Sequence, residues 1–288
     1  MRRTQMLHDL LALVKPSISL LSVMMAAVGL WLAPTTLPVF DVVLVLVATG
    51  LVVGSANALN MYTERDLDRL MRRTSERPLP AGRLAPWTAL ALGLTIGVLG
   101  TGMLWWGANP LTAVLGAGAL LGYVLVYTPL KRKTTHALLI GAVPGAMPPL
   151  MGWTAATGTI DLPGLALFGI LLLWQMPHFI AIAIYRKHDY AAAGFKVVSV
   201  VRGDDNARWQ TVAYATGLIP MSVALTPLGS VGWVYCVGAL AVSVWFLARC
   251  LRGYRTQAAA PWARQVFLAS LVYLPALSVA LILDRLLV

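Results

Sequence analysis

Acidic residues are scarce in this chain. Only 11 of its 288 positions are Asp or Glu, against 22 Lys and Arg. At 11% charged it falls far below the roughly one quarter expected of a soluble domain. It has two cysteines, Cys236 and Cys250, in or beside an apolar run and without metal-like spacing. That excludes a thiolate metal site and a disulfide framework, and both read as small hydrophobes. What the chain has in abundance is apolar sequence: 59% of it is hydrophobic. Several windows approach or exceed 18 residues without a charge, the length that crosses a bilayer. These features predict an all-α polytopic membrane protein. A net charge of +11 would suggest nucleic acid as the partner of a soluble protein, but in a membrane protein the positive-inside rule accounts for it. The expected partner is the lipid bilayer, with no nucleic acid.

Nine spans are predicted, at 17–33, 39–60, 86–106, 110–128, 137–153, 162–185, 210–227, 231–248 and 265–284. They make one domain over 1–288, a bundle of transmembrane helices around a central cavity. Alternating them puts the N-terminus and loops 61–85, 129–136, 186–209 and 249–264 on one side. That side holds every Lys and Arg except Arg285, which marks it as cytoplasmic, with the chain in the cell inner membrane. Arg2, Arg3 and Lys15 precede the first span, which is expected to be retained rather than cleaved because many apolar runs follow it. Nine tryptophans fall near predicted helix ends, as an interfacial belt requires: Trp31, Trp87, Trp105, Trp106, Trp153, Trp209, Trp233, Trp245 and Trp262. Trp174 lies mid-span beside Gln175, Pro177 and His178. The proline should kink that helix, and polar groups at that depth need a partner or a wet cavity.

Four of the carboxylates, Glu64, Asp66, Asp68 and Glu76, fall between Asn57 and Leu84. Read as a helix, Asn60, Glu64 and Asp68 share one face, with Asn57 one turn earlier and neighbours roughly 6 Å apart. Two carboxylates and an amide so spaced suit a hard divalent cation, and Mg²⁺ held this way usually carries a phosphate-bearing substrate. The basic run Arg69, Arg72, Arg73, Arg77 and Arg83 suits the phosphate oxygens. Asp66 lies roughly 200° around the helix from Glu64 and points elsewhere. A second set comprises Gln175, His178, Tyr185, Asp189 and Lys196, with His178, Ile182, Tyr185 and Asp189 on one helical stripe. A third comprises Tyr127, Lys131, Arg132 and Lys133, fitting either phosphate contact or plain anchoring charge. Spans two and six echo each other: both carry polar residues at the same end and open into long charged loops. Two half-sites facing one cavity would follow.

The pattern Asn60-x3-Glu64-x3-Asp68, then Arg73-Thr74, Arg77-Pro78-Leu79-Pro80 and Gly82-Arg83, resembles the UbiA-type intramembrane prenyltransferases. Met61 and Glu64 replace two aspartates of that family's first motif. Those departures, with Trp174-Gln175-Met176-Pro177-His178-Phe179, are similar to the branch that farnesylates haem. So are Tyr127-Thr128-Pro129-Leu130-Lys131-Arg132, Pro144-Gly145-Ala146-Met147-Pro148-Pro149, Gly152-Trp153, Lys15-Pro16 and Phe267-x2-Ser270-x2-Tyr273-Leu274. His178 and Tyr185 stand where quinone-type members have acids, while Asp189 remains. The resemblance implies transfer of farnesyl from farnesyl diphosphate to a vinyl group of haem B, with hydration, giving haem O for terminal oxidase assembly. It implies Mg²⁺ as cofactor on Asn60, Glu64 and Asp68, and haem B as substrate. His178, Tyr185 and Asp189 join these three as candidate catalytic residues. Asn57, Arg72, Arg73, Arg77, Tyr127, Lys131, Arg132, Gln175 and Lys196 are the candidate substrate-binding residues. For His178 the resemblance leaves open ligation of iron, a propionate contact, steering of water and a structural role. Haem-modifying or oxidase-assembly proteins are implied partners. The rival readings are prenylation of an aromatic quinone precursor and, from another class, a transporter.

Overall fold

Proline and side-chain caps set where the helices begin. Pro16, Pro86 and Pro110 each occupy a first turn, where a missing N–H leaves no acceptor wanting. Asn109 caps one helix by accepting from Thr112 N at 2.9 Å, and Asp161 caps another by accepting from Gly164 N at 3.3 Å. The computed structural model describes residues 3–255 and 258–287, and no strand occurs among them. Arg2 and the side chain of Arg3 lie outside the described residues. The helices are α1 (Arg3–Val14), α2 (Pro16–Leu32), α3 (Val39–Asp68), α4 (Pro86–Gly107) and α5 (Pro110–Leu121). A π-helical segment, Gly122–Tyr127, links α5 to α6 (Thr128–Leu130). Then follow α7 (Ala137–Thr157), α8 (Leu162–Tyr185), α9 (Lys187–Ala192), α10 (Val198–Val201), α11 (Gly203–Val223), α12 (Trp233–Leu251) and α13 (Ala259–Leu287).

Among the described residues, seven helical segments are long and apolar enough to cross a bilayer, and eight if α1 and α2, bent by 47° at Lys15, count as one span. The expected nine are not reached by that measure. The shortfall is α11, whose first turns carry Asp204, Asp205, Asn206, Arg208 and Gln210. Trp153 and Trp262, each near a helix end, are buried against neighbouring helices.

Small residues let the helices close on one another. A methyl group on Gly29 of α2 would collide with the Pro149 carbonyl of α7, and one on Gly152 of α7 with the Ala26 carbonyl of α2. The two backbones therefore touch, as small residues permit between helices in lipid. In the other half, the Tyr273 hydroxyl meets Ser222 Oγ and Ser243 Oγ, each at 2.7 Å, tying α13 to α11 and α12. Asp284 of α13 accepts from Gly232 N (2.7 Å) and Tyr235 N (3.0 Å), closing the start of α12. Between these halves lies a chamber of about 480 Å³, walled by α2, α3, the π segment, α7, α8 and α13.

Candidate active site

The site begins with a helix that does not stop where the apolar run does. α3 continues unbroken to Asp68, so Asn57, Asn60, Glu64 and Asp68 stay on one face. That face is the chamber wall: the four residues are only 4%, 2%, 5% and 1% exposed. Met61, one position off the stripe, is buried instead in an apolar cluster with Leu13, Ala58 and Leu79. Its side chain faces away from the chamber, so an apolar residue suits it. Asp66 is exposed and pairs only loosely, at 3.7 Å, with Arg65 and Arg69.

Buried carboxylates need partners. Lys131 Nζ donates to both oxygens of Glu64, at 2.9 and 3.0 Å. Asn60 Nδ2 donates to Glu64 Oε2 (3.0 Å) and to Thr128 Oγ1 (3.1 Å). Arg77 donates to Asp68 Oδ2 at 2.7 Å. The Arg-Pro-Leu-Pro motif explains how Arg77 arrives there. Leu79 is buried in the cluster with Leu13 and Met61, and Thr74 donates to the Asp68 carbonyl at 2.9 Å. The loop is thus pinned on both sides of the guanidinium. Burial works against the charge on Lys131, but the Tyr127 phenol oxygen and the Glu64 carboxylate more than offset it, so its ammonium titrates above the usual lysine range. Tyr190, half-buried at the same chamber, has its phenol pushed upward by desolvation.

The π segment sets the far side. Pro129 has no N–H to give its own turn, and the ladder opens just before it. Tyr123 and Tyr127 then both face the chamber, with ring centroids 5.0 Å apart and Lys131 Nζ 4.5 Å above the Tyr127 ring. Lys15, at the bend between α1 and α2, is the one non-glycine described residue with positive φ (47°), and its side chain lines the chamber. Arg73 and Lys196 line it as well. Five basic side chains thus surround two carboxylates, an excess that suits a strongly anionic ligand.

The residues fit a magnesium ion in part through what they leave unfilled. Asp68 Oδ1 is buried and has no hydrogen-bond partner. With Glu64 and the Asn60 carbonyl it offers the oxygen donors that Mg²⁺ takes alongside substrate phosphates. No group of three His, Cys, Asp or Glu that could hold a metal ion stands together among the described residues.

The opposite wall is α8. Gln175 reaches Leu171 O (3.1 Å) and Ala142 O (3.5 Å), and a methyl on Gly145 would collide with its Oε1. His178 lines the chamber with its Nδ1 2.7 Å from Ser270 Oγ. Trp174 stacks on the imidazole at 5.2 Å and donates from Nε1 to Ser270 O at 2.9 Å.

The continuous stripe expected from His178 to Asp189 is corrected by the structure. α8 ends at Tyr185, because Arg186 leaves helical geometry (φ −106°, ψ 22°), and Asp189 rides on the separate short α9. Asp189 faces Arg186 at 3.7 Å rather than the chamber, and Tyr185 packs edge-on against Phe267. Neither lines the chamber, nor do Arg72 and Arg132, which are exposed. The structure therefore brings together Asn57, Asn60, Glu64, Asp68, Arg73, Arg77, Tyr127, Lys131, Gln175, His178 and Lys196. Lys15, Tyr123, Tyr190 and Ser270 were not singled out as site residues. For Tyr123 the signal was its spacing four residues before Tyr127; Lys15 and Ser270 lay within motifs already noted.

A model of the UbiA prenyltransferase family matches residues 22–271. The "Protoheme IX farnesyltransferase" of Myxococcus xanthus (strain DK1622) is 48% identical over 277 residues, covering 96% of this chain and 94% of that protein. Among solved structures, one of a digeranylgeranylglyceryl phosphate synthase superposes with a TM-score of 0.82 at 16% identity, covering 98% of this chain and 99% of that one. A UbiA homologue from Archaeoglobus fulgidus, bound to GPP and Mg²⁺, superposes with a TM-score of 0.66 at 13% identity, covering 95% and 99%.

Proposed function

The chain belongs to the UbiA prenyltransferase family, and from that premise we propose that it transfers the farnesyl group of farnesyl diphosphate to a vinyl group of haem B. Water completes the addition, and the products are haem O and diphosphate. It is an enzyme of the membrane. The observation that carries this reading is one chamber with an ionic end, Asn60–Glu64–Asp68 beneath Lys131 and Arg77, and an apolar end at Trp174, His178 and Phe179. A diphosphate with a long hydrocarbon tail has the same two-part character.

The charges explain how the ionic end works. Glu64 and Asp68 are now neutralised by Lys131 and Arg77. Glu64 and Asp68 would exchange these bases for a metal ion, and Lys131 and Arg77 would exchange the carboxylates for phosphate oxygens, so each would keep a partner of like charge. Asn60, Glu64 and Asp68 would hold the metal, which supplies charge stabilisation to the departing diphosphate. Lys131, Arg77, Arg73, Lys15 and Lys196 hold the remaining phosphate oxygens as the allylic carbon–oxygen bond breaks. Tyr123 and Tyr127 line the same chamber, and an aromatic ring there would stabilise the carbon that becomes positive. The apolar walls on α2, α7 and α8 keep bulk water from that cation until the haem vinyl carbon attacks it. The other vinyl carbon then takes a hydroxyl from water, and one proton is released.

We place the charged rim, with the N-terminus, on the cytoplasmic side of the inner membrane, in accord with the distribution of Lys and Arg. The whole of 1–288 acts as one domain, since the chamber draws on helices from α2 to α13. Purified protein given farnesyl diphosphate, haem B and Mg²⁺ should yield a hydroxyethylfarnesyl haem by mass analysis. Recovery of haem B alone, with a phenolic acceptor prenylated instead, would move the reading to the quinone branch.

A further inference from the structure

The apolar wall holds one titratable side chain that the diphosphate chemistry does not use. We propose that Nε2 of His178 is the axial ligand of the haem iron, and that Ser270 positions it for that role. The proposal rests on haem B being the acceptor.

The assignment follows from counting protons. Ser270 Oγ makes two short contacts, 2.6 Å to Phe267 O and 2.7 Å to His178 Nδ1. A hydroxyl has one hydrogen to give, and a carbonyl oxygen can only accept. If the hydrogen goes to Phe267 O, the second contact is a bond only when Nδ1 carries a hydrogen and donates it to the serine oxygen. The reverse assignment leaves two oxygens 2.6 Å apart with nothing between them. A neutral imidazole has a single N–H, so Nε2 keeps its lone pair. No hydrogen bond to Nε2 occurs among the described residues. A histidine fixed through Nδ1–H and open at Nε2 is the arrangement that metal-ligating histidines use.

The ring is also held against rotation. Trp174 stacks on it at 5.2 Å and 24°, and Phe267 packs against it at 5.0 Å. Ser270 fixes both members of the stack, His178 through its hydroxyl and Trp174 through its carbonyl. Around the imidazole the chamber wall is Phe179, Ile182 and Leu271, a surface suited to the face of a macrocycle.

The same geometry disfavours the other roles open to this histidine. A haem propionate would need an N–H facing the chamber, where this tautomer presents a lone pair. A general base would become an imidazolium, yet among the described residues the only carboxylates lining the chamber, Glu64 and Asp68, lie at its ionic end and are already paired. An uncompensated cation in an apolar wall is expensive. Donation of the lone pair to iron forms one dative bond, releases no proton and leaves no charge on the ring.

The test uses the purified full chain in lipid nanodiscs, loaded with haem B and no farnesyl diphosphate. Resonance Raman of the ferrous form should show an iron–histidine stretch. His178→Gly should lose it, and added imidazole should restore an imidazole-ligated spectrum. Ser270→Ala should keep the stretch but bind haem about tenfold more weakly, the usual effect of removing a ligand's hydrogen-bond partner. Farnesyl diphosphate binding, measured on the same samples, reports that each variant is folded. A wild-type protein that binds haem and makes haem O without an iron–histidine stretch overturns the ligation alone. So does His178→Gly retaining the stretch. A wild-type protein that binds no haem overturns the acceptor reading as well.

Discussion

α3 and α8 are built alike and end differently. Each is an apolar helix with polar residues toward its C-terminal end, and each opens into a long basic loop. α3 runs on through the charged sequence to Asp68, so its carboxylates hang from one rigid face into the chamber. α8 stops at Tyr185, and the acid that follows, Asp189, turns away on its own short helix. The result is a lopsided chamber, ionic where α3 ends and aromatic where α8 passes. The lesson is that an acid placed at helical spacing reaches a site only if the helix persists to carry it.

Four experiments would break or sharpen this contrast. The largest effect is expected from Asp68→Ala, which removes a proposed metal ligand and strands Arg77. Haem O formation by inserted protein should fall at least about 100-fold by chromatography of extracted pigments. Near-normal yield would erase the ionic end as a site. Next, EDTA should stop turnover and Mg²⁺ restore it, while haem binding at the apolar wall persists; loss of haem binding under chelation would mean that the two ends are not separate. Third, Gly145→Ala should push Gln175 off its place, since the new methyl meets Oε1. A penalty of about 1–3 kcal/mol in thermal unfolding of the detergent-solubilised protein is expected from overpacking. No shift would show that Gln175 swings freely. The smallest effect is expected from Asp189→Asn, within about threefold of wild type, because its 3.7 Å pairing with Arg186 lies outside the chamber and such pairs contribute about 0–1 kcal/mol. A loss as large as that of Asp68→Ala would restore the symmetry that the structure denies.

Much of the ionic end was legible in the chain itself. Asn60, Glu64 and Asp68 recur at helical spacing directly beyond an apolar run, and local periodicity is enough to place them on one face. The aromatic wall was less so. His178 was visible as a polar residue at depth, but Ser270, which sets its tautomer, is 92 positions away. Nothing local marks a serine on α13 as the partner of a histidine on α8. The π segment was equally hidden, because it depends on how Pro129 and Thr128 settle against Asn60.

By itself the sequence determined the membrane class and the α3 stripe. These follow from hydropathy and helical period, which act over a few turns of one segment. Only the tertiary structure decided that Lys131 and Arg77 neutralise the two carboxylates, that Lys15 joins them, and that Asp189 does not. Those outcomes depend on where helices stop and which loops are pinned, and both are settled by packing between segments far apart in the chain.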